Sequence, residues 1–190
     1  MAITRWAVET SINARIEAAS KACPEDIARH FPHSDRWISS LLLSHIFKVA
    51  VPAANLPVAL QFVRRAEGAL LAYSALASEI EKLALEPGSW RPYFNALSQA
   101  EIAISSLYQA RYLAAKKCGL QQFSKGDGSD VQRLNDLYNA IKHVPAEDKE
   151  PVWLSDFGLE SAPAKLSYPE FEEILGRTAG MAQTISGIEH

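Results

Sequence analysis

A mostly α-helical bundle of five to six helices, with a small β-hairpin before the last, is the fold class this sequence predicts, and three observations carry it. Ala59, Phe62, Ala66, Ala69, Tyr73, Leu76, Ile80 and Leu83 recur at alternating steps of three and four, the seam of a long amphipathic helix. Tyr93, Ala96, Ala100, Ala103, Leu107, Ala110 and Ala114 repeat that pattern after EPGS at 86–89, where Pro and Gly break the helix and Ser89 is placed to cap the next. The two form an antiparallel αα-hairpin over 56–118 with a small-residue, close-packed seam. After Pro145 the helical period gives way to VWLSDFGLES and AKLSY, whose apolar and aromatic content around Gly and Pro reads as a short two-stranded hairpin.

The other elements follow in chain order within a single domain. Residues 1–52 hold two helices, at 4–22 and 35–50, separated by PEDIARHFPHSD with a short helical turn. In the second, Ile38, Leu41, Leu42, His45, Ile46 and Val49 make one apolar stripe, and His45 on it reads as a core histidine with a partner. Pro52 and Pro57 bound a short linker, and Pro57 suits the first turn of the following helix, where a missing N–H costs nothing. Downstream, GDGSD is a loop whose Ser129 or Asp130 caps a helix over 129–144, and 145–151 is a polar, Pro-bounded turn. The hairpin occupies 151–168 and, being marginal alone, has to lie against the bundle. Ser167, Pro169 and Glu170 then open a closing helix over 169–186, with Phe171, Ile174, Leu175, Thr178, Met181, Ala182 and Ile185 on its apolar face. Trp6, Trp37, Trp90 and Trp153 read as packing anchors.

Composition narrows the function without naming it. The 190 residues carry 19 Lys plus Arg, 22 Asp plus Glu and 48 % apolar residues, the balance of an ordinary globular protein with a core that needs neither disulfides nor a structural metal. Cys23 and Cys118 have no CxxC or Cys/His spacing, so a reducing cytoplasm is the simplest compartment. The first twenty residues have no apolar signal-peptide centre, and LLLSHIF is far short of a membrane span, so no membrane role is expected. A net charge of −3 excludes a wholly basic nucleic-acid glove. The charge is uneven, however: residues 111–144 carry 6 positive and 3 negative groups, and 145–190 carry 3 and 9. Such an acidic tail either folds over a basic site, binds a partner, or is simply a solvated surface.

Function is carried by the helix at 131–144. Val131, Leu134, Leu137, Tyr138, Ile141 and Val144 form its buried face, while Asn135, Asn139 and His143 follow at steps of four and, with Asp136, line a neighbouring polar stripe. A groove or a subunit interface is the natural place for such a stripe, because deep burial would require a partner for every group. The sequence LYNAIKHVP, with Tyr138, Asn139, Lys142 and His143, resembles the Y-N-x-x-K-H signature of many bacterial proteins of the HEPN superfamily, and the Pro-bounded turn, hairpin and closing helix that follow resemble it too. The likeness covers roughly 88–186.

In the active branch of that superfamily the resemblance implies a metal-independent endoribonuclease, in a bacterial stress or defence setting. There an Arg precedes a His by a few residues at a dimer interface; the Arg steadies the scissile phosphate and the His handles the 2′-hydroxyl proton. Imidazole titrates near neutrality and guanidinium grips a phosphate bidentately, which suits both roles. This chain departs from the pattern. Asn139 stands where the arginine would, Lys142 projects about 100° away around the helix, and Arg133 is about ten residues, or ~15 Å, upstream of His143. Arg111, or Arg133 from a second subunit, would have to complete the site.

The expected site is therefore His143 as base, Asn139 and Lys142 as positioning groups, and Arg111, Arg133, Lys116 and Lys117 as phosphate contacts, with Lys125 beside them. The rival reading makes Asn139 and His143 structural groups that fix the hairpin on a non-catalytic helical module for dimerisation or partner binding. Expected partners are RNA, a second copy of the chain and a protein partner. No cofactor is expected, and no metal, since His30 and His33 have no further ligand to complete a site. Glu101 and Arg111 read as exposed groups in weak surface ion pairs. There is no GxxxxGK, GxGxxG, GxSxG or HExxH motif.

Overall fold

The long hairpin dominates the structure, a computed structural model that describes residues 5–48, 51–118, 123–143, 151–162 and 164–188. In chain order the helices are α1 (Arg5–Ala19), α2 (Trp37–Lys48), α3 (Leu56–Leu85), α4 (Trp90–Cys118), α5 (Asp130–Lys142) and α6 (Tyr168–Ser186); the strands are β1 (Trp153–Leu154), β2 (Gly158–Ser161) and β3 (Ala164–Ser167). Short 3₁₀ turns at Ile27–His30, Ser34–Arg36 and Ala53–Asn55 join the first three helices. No helix among the described residues is long and apolar enough to cross a membrane.

Every seam residue expected on α3 and α4 is buried except Ala59, which is half-buried at the open end of the hairpin. Alanine at the contact points lets the two backbones approach closely, and Tyr73, Tyr93, Leu76, Ile80 and Leu107 fill the space between them and their neighbours. The tight connection turns at Gly88, whose φ of 94° favours glycine. α6 lies antiparallel along α3: Phe171 near its start stacks on Tyr73 at 5.0 Å, while Met181 and Ile185 near its end share a cavity with Phe62 and Ala59. The Tyr73 hydroxyl donates to Glu172 Oε1 at 2.7 Å, and burial, with that carboxylate beside it, pushes the phenol well above its ordinary value.

α6 is fixed at both ends by sequence. Ser167 Oγ accepts from the Glu170 backbone N–H while Glu170 accepts from the Ser167 N–H, a capping box that satisfies two otherwise orphaned donors. Its C-cap is Gly187 in the left-handed region, φ 70°.

The β segment differs from the expected two-stranded hairpin. VWLSDFGLES already reverses on itself, because the Ser155 hydroxyl accepts from the N–H groups of Phe157 and Gly158 and so closes a tight turn inside it. Ala164–Ser167 then adds a third strand, giving an antiparallel meander β1-β2-β3. Leu154, Leu159 and Leu166 are paired across it on one buried face, and Trp153, Glu160 and Lys165 on the other. Arg15 of α1 covers the Trp153 ring at 4.5 Å, while Trp37 is fully buried and Trp90 is partly exposed with its indole N–H on Asn13. The Trp6 side chain, Val49, Val144 and the turn at 145–150 lie outside the described residues.

α2 also differs in detail. Trp37 and Leu41 take its buried side, and the expected stripe members Leu42 and Ile46 face outward. His45 is half-buried, and its Nδ1 meets no hydrogen-bond partner among the described residues, so the expected partner is missing.

Candidate functional site

α5 forms because Ser129 caps it, its side chain accepting from the Gln132 N–H at 3.2 Å, and because Val131, Leu134, Leu137 and Ala140 bury one stripe against α4, α6 and the sheet. Tyr138 and Ile141 are half-buried at the edge of that stripe. The N-terminal end of α5 is closely tied down. Asp130 pairs with Arg177 of α6 at 2.6 Å, and Arg133 pairs with Glu170 at 2.6 Å. The loop before it uses its own donors: Asp127 accepts from Ser124 and Ser129, and Gly128 donates to Gln132, so no free N–H cradle for a phosphate remains at those three.

The C-terminal end is the opposite. His143 is the C-cap, its backbone N–H donating to the Asn139 carbonyl at 3.1 Å, and its side chain is exposed, as is that of Lys142. Asn139 is half-buried. None of the three side chains makes a hydrogen bond or ion pair among the described residues.

The structure separates the two halves of the expected site. Arg111 of α4 lies near Asp130 and Arg177, at the far end of α5 from His143; burial and the adjacent Arg177 work against its charge, and Asp130 supports it. Arg133 is held by Glu170, with its Nε buried and unpartnered. Neither guanidinium is placed beside His143 within one chain. Arg111 is half-buried rather than exposed and makes no ion pair among the described residues, and the Glu101 carboxyl is raised by burial and makes none either. Lys116 and Lys117 are exposed on the last turn of α4, with Lys116 Nζ 5.9 Å from the Tyr112 ring.

Outside the expected site residues, a tyrosine pair joins α4 to α5 and a third tyrosine lies beside it. Tyr108 stacks on Tyr138 at 4.3 Å with the rings 20° apart, and Tyr112, one turn further along α4, is exposed. Burial first, and the two neighbouring phenols second, push the Tyr108 hydroxyl above its ordinary value. Tyr108, Tyr112 and Lys116 follow at steps of four on α4; Asn135, Tyr138 and Lys142 follow at steps of three and four on α5. The result is a shared face of aromatic rings with basic groups at either end. The i, i+4 spacing on α4 was legible; which helix it would meet was not.

Among the described residues no group of three or more His, Cys, Asp or Glu side chains could hold a metal ion. His30 lies 3.3 Å from Glu25, and Cys23 is exposed. Compared with protein-family models, curated proteins and solved structures, the chain matches none of them.

Proposed function

We propose that the chain is a HEPN-like RNA-binding protein of the bacterial cytoplasm that acts as a homodimer, with RNA held on the face shared by α4 and α5. The observation that carries this reading is the Tyr108–Tyr138 stack extended by exposed Tyr112 and flanked by exposed Lys116 and Lys142. Aromatic faces stack on unpaired bases whatever their identity, and lysines at either end answer the phosphates. Asn139, Lys142 and His143, at one end of that face, have side chains that make no hydrogen bond or ion pair among the described residues, which supports a role toward a ligand.

Cleavage is a separate matter. His143 has the chemistry of a base for a 2′-hydroxyl, but without an arginine at hand the developing charge on the scissile phosphate has no bidentate clamp. In this reading one chain binds RNA, and cleavage requires a guanidinium from a second chain.

The test is fluorescence anisotropy with a mixed-sequence single-stranded RNA in EDTA, alongside a cleavage gel. Wild type is expected to bind with an affinity that falls as salt rises. Tyr112→Ala should bind about tenfold more weakly, given ~1–3 kcal/mol per stacked base, and Lys116→Ala/Lys142→Ala should bind more weakly with a shallower dependence on salt. Absence of wild-type binding at low salt would overturn the proposal. Cleavage by wild type but not by His143→Ala would extend it to a metal-independent ribonuclease.

A further inference from the structure

α2 carries an apolar face that the fold leaves uncovered. Leu42, Leu43, Ile46 and Phe47 stand next to one another at i, i+1, i+4 and i+5, and Ile46 and Phe47 are 69 % and 78 % exposed. Together the four expose on the order of 450 Å² of contiguous apolar surface, the size of patch that marks an interaction site on a monomer. α2 packs against α3 and α6, through contacts such as Ser40 Oγ donating to the Ser186 carbonyl, whereas the tyrosine face belongs to α4 and α5. The uncovered face of α2 therefore lies on a different helix from the tyrosine face.

We propose that this face is a two-fold interface between two copies of the chain, with the α2 helices antiparallel across the axis. The first argument is electrical. A residue close to a two-fold axis meets its own copy, so a self-associating face cannot carry net charge there, and no Asp, Glu, Lys or Arg occurs from Trp37 to Phe47. The same neutrality disfavours an anionic lipid surface, which draws helices rich in Lys and Arg; here Asp35 and Arg36 cancel at the start of α2, leaving Lys48 alone.

The second argument is area. A standard interface takes about 800 Å² from each partner, a little over half of it apolar, and this face supplies that apolar part.

The third is shape. Beside Leu43 lies an open hollow of about 310 Å³ whose walls include His33, Arg36, Ser39 and Ile188. With the axis passing at Leu43, Phe47 of the second copy falls opposite Ser39 and enters this hollow, where Arg36 meets the face of its ring. One face of the chain thus presents both the knob and the hole, as an isologous contact requires.

Sedimentation velocity on the full chain, from low- to high-micromolar concentration, tests this. Wild type should sediment as a dimer, and Ile46→Glu/Phe47→Glu should be monomeric with an unchanged circular dichroism spectrum, its dissociation constant raised by about 100-fold or more. In a Cys23→Ser background, Leu43→Cys should cross-link to a dimer with a short bismaleimide where its parent does not. A wild type that stays monomeric throughout overturns the proposal, as does a dimer that survives the charged variant. Wild-type monomer that binds neutral or anionic vesicles through Phe47 overturns it in favour of a lipid surface.

Discussion

The two ends of α5 are built on opposite principles. At the N-terminal end nearly every polar group is engaged: Ser129 caps, Asp127 gathers two backbone donors, Asp130 and Arg133 reach across to Arg177 and Glu170. At the C-terminal end Asn139, Lys142 and His143 engage nothing among the described residues, although the resemblance to HEPN proteins is densest there. The contrast separates residues that hold the helix in place from residues whose side chains have no hydrogen-bond or ion-pair partner among the described residues. It also explains why Arg111 and Arg133, both expected as phosphate contacts, are poor ones in a single chain: one is half-buried near Arg177, and the other is committed to Glu170.

The largest effect that tests this contrast comes from the stripe that serves both ends. Leu134 is fully buried beneath the anchored half of the helix. Leu134→Ala should cost about 2–5 kcal/mol and lower the melting temperature by roughly 5–15 °C. A loss below ~1 kcal/mol would mean that α5 is loosely docked and that its two ends do not differ in the way described.

A smaller effect belongs to Glu170, which closes the capping box of α6 and holds Arg133. Burial alone would raise its carboxyl, but the hydrogen bonds from Ser167 and Arg133 together outweigh it and hold the group below the ordinary value of 4.5. A carboxylate depressed in the folded state contributes stability that is present above its unfolded value and lost as pH falls through the folded one. The stability of wild type should therefore decline as pH drops below about 4.5, and part of that decline should vanish in Glu170→Gln, which keeps a capping amide but no charge. Because both partners are about one-third exposed, the difference at neutral pH should stay near ~1 kcal/mol. Denaturant melts from pH 3 to 7 decide it, since identical slopes for the two proteins would remove the ion pair from the anchor.

What the sequence discloses about α5 follows the same division between local and distant effects. The Ser129 cap, the Ser167–Glu170 box and the alternating Ala seam of α3 and α4 are local patterns, each legible because the interacting residues lie within four positions of one another or repeat at a helical period. The Tyr108–Tyr138 stack and the Arg133–Glu170 pair join residues 30 and 37 positions apart, and nothing in either helix alone names the other. α2 shows the remaining difficulty. Its apolar stripe predicts a buried face that includes Leu42 and Ile46, yet periodicity cannot say how many neighbours are available to cover it, and α3 and α6 take only the side bearing Trp37 and Leu41. In the β segment, SDFG hides a turn, because a single hydroxyl, Ser155, closes it.

The smallest predicted effect is the most discriminating. If the C-terminal end of α5 is free of structural duty, His143→Ala should change stability by no more than ~0.5 kcal/mol, as expected of an exposed side chain that caps only through its backbone. The backbone N–H of residue 143 still donates to the Asn139 carbonyl in the variant, so the helix end itself is preserved. A structural histidine whose partner is left buried would instead cost about 1–3 kcal/mol. Thermal melts of the two proteins at one pH distinguish these outcomes, and the RNA anisotropy series then reads the same substitution against function. Unchanged melting with weakened binding or lost cleavage would assign the imidazole to the ligand. Lowered melting with unchanged binding would return it to the fold and erase the difference between the two ends of the helix.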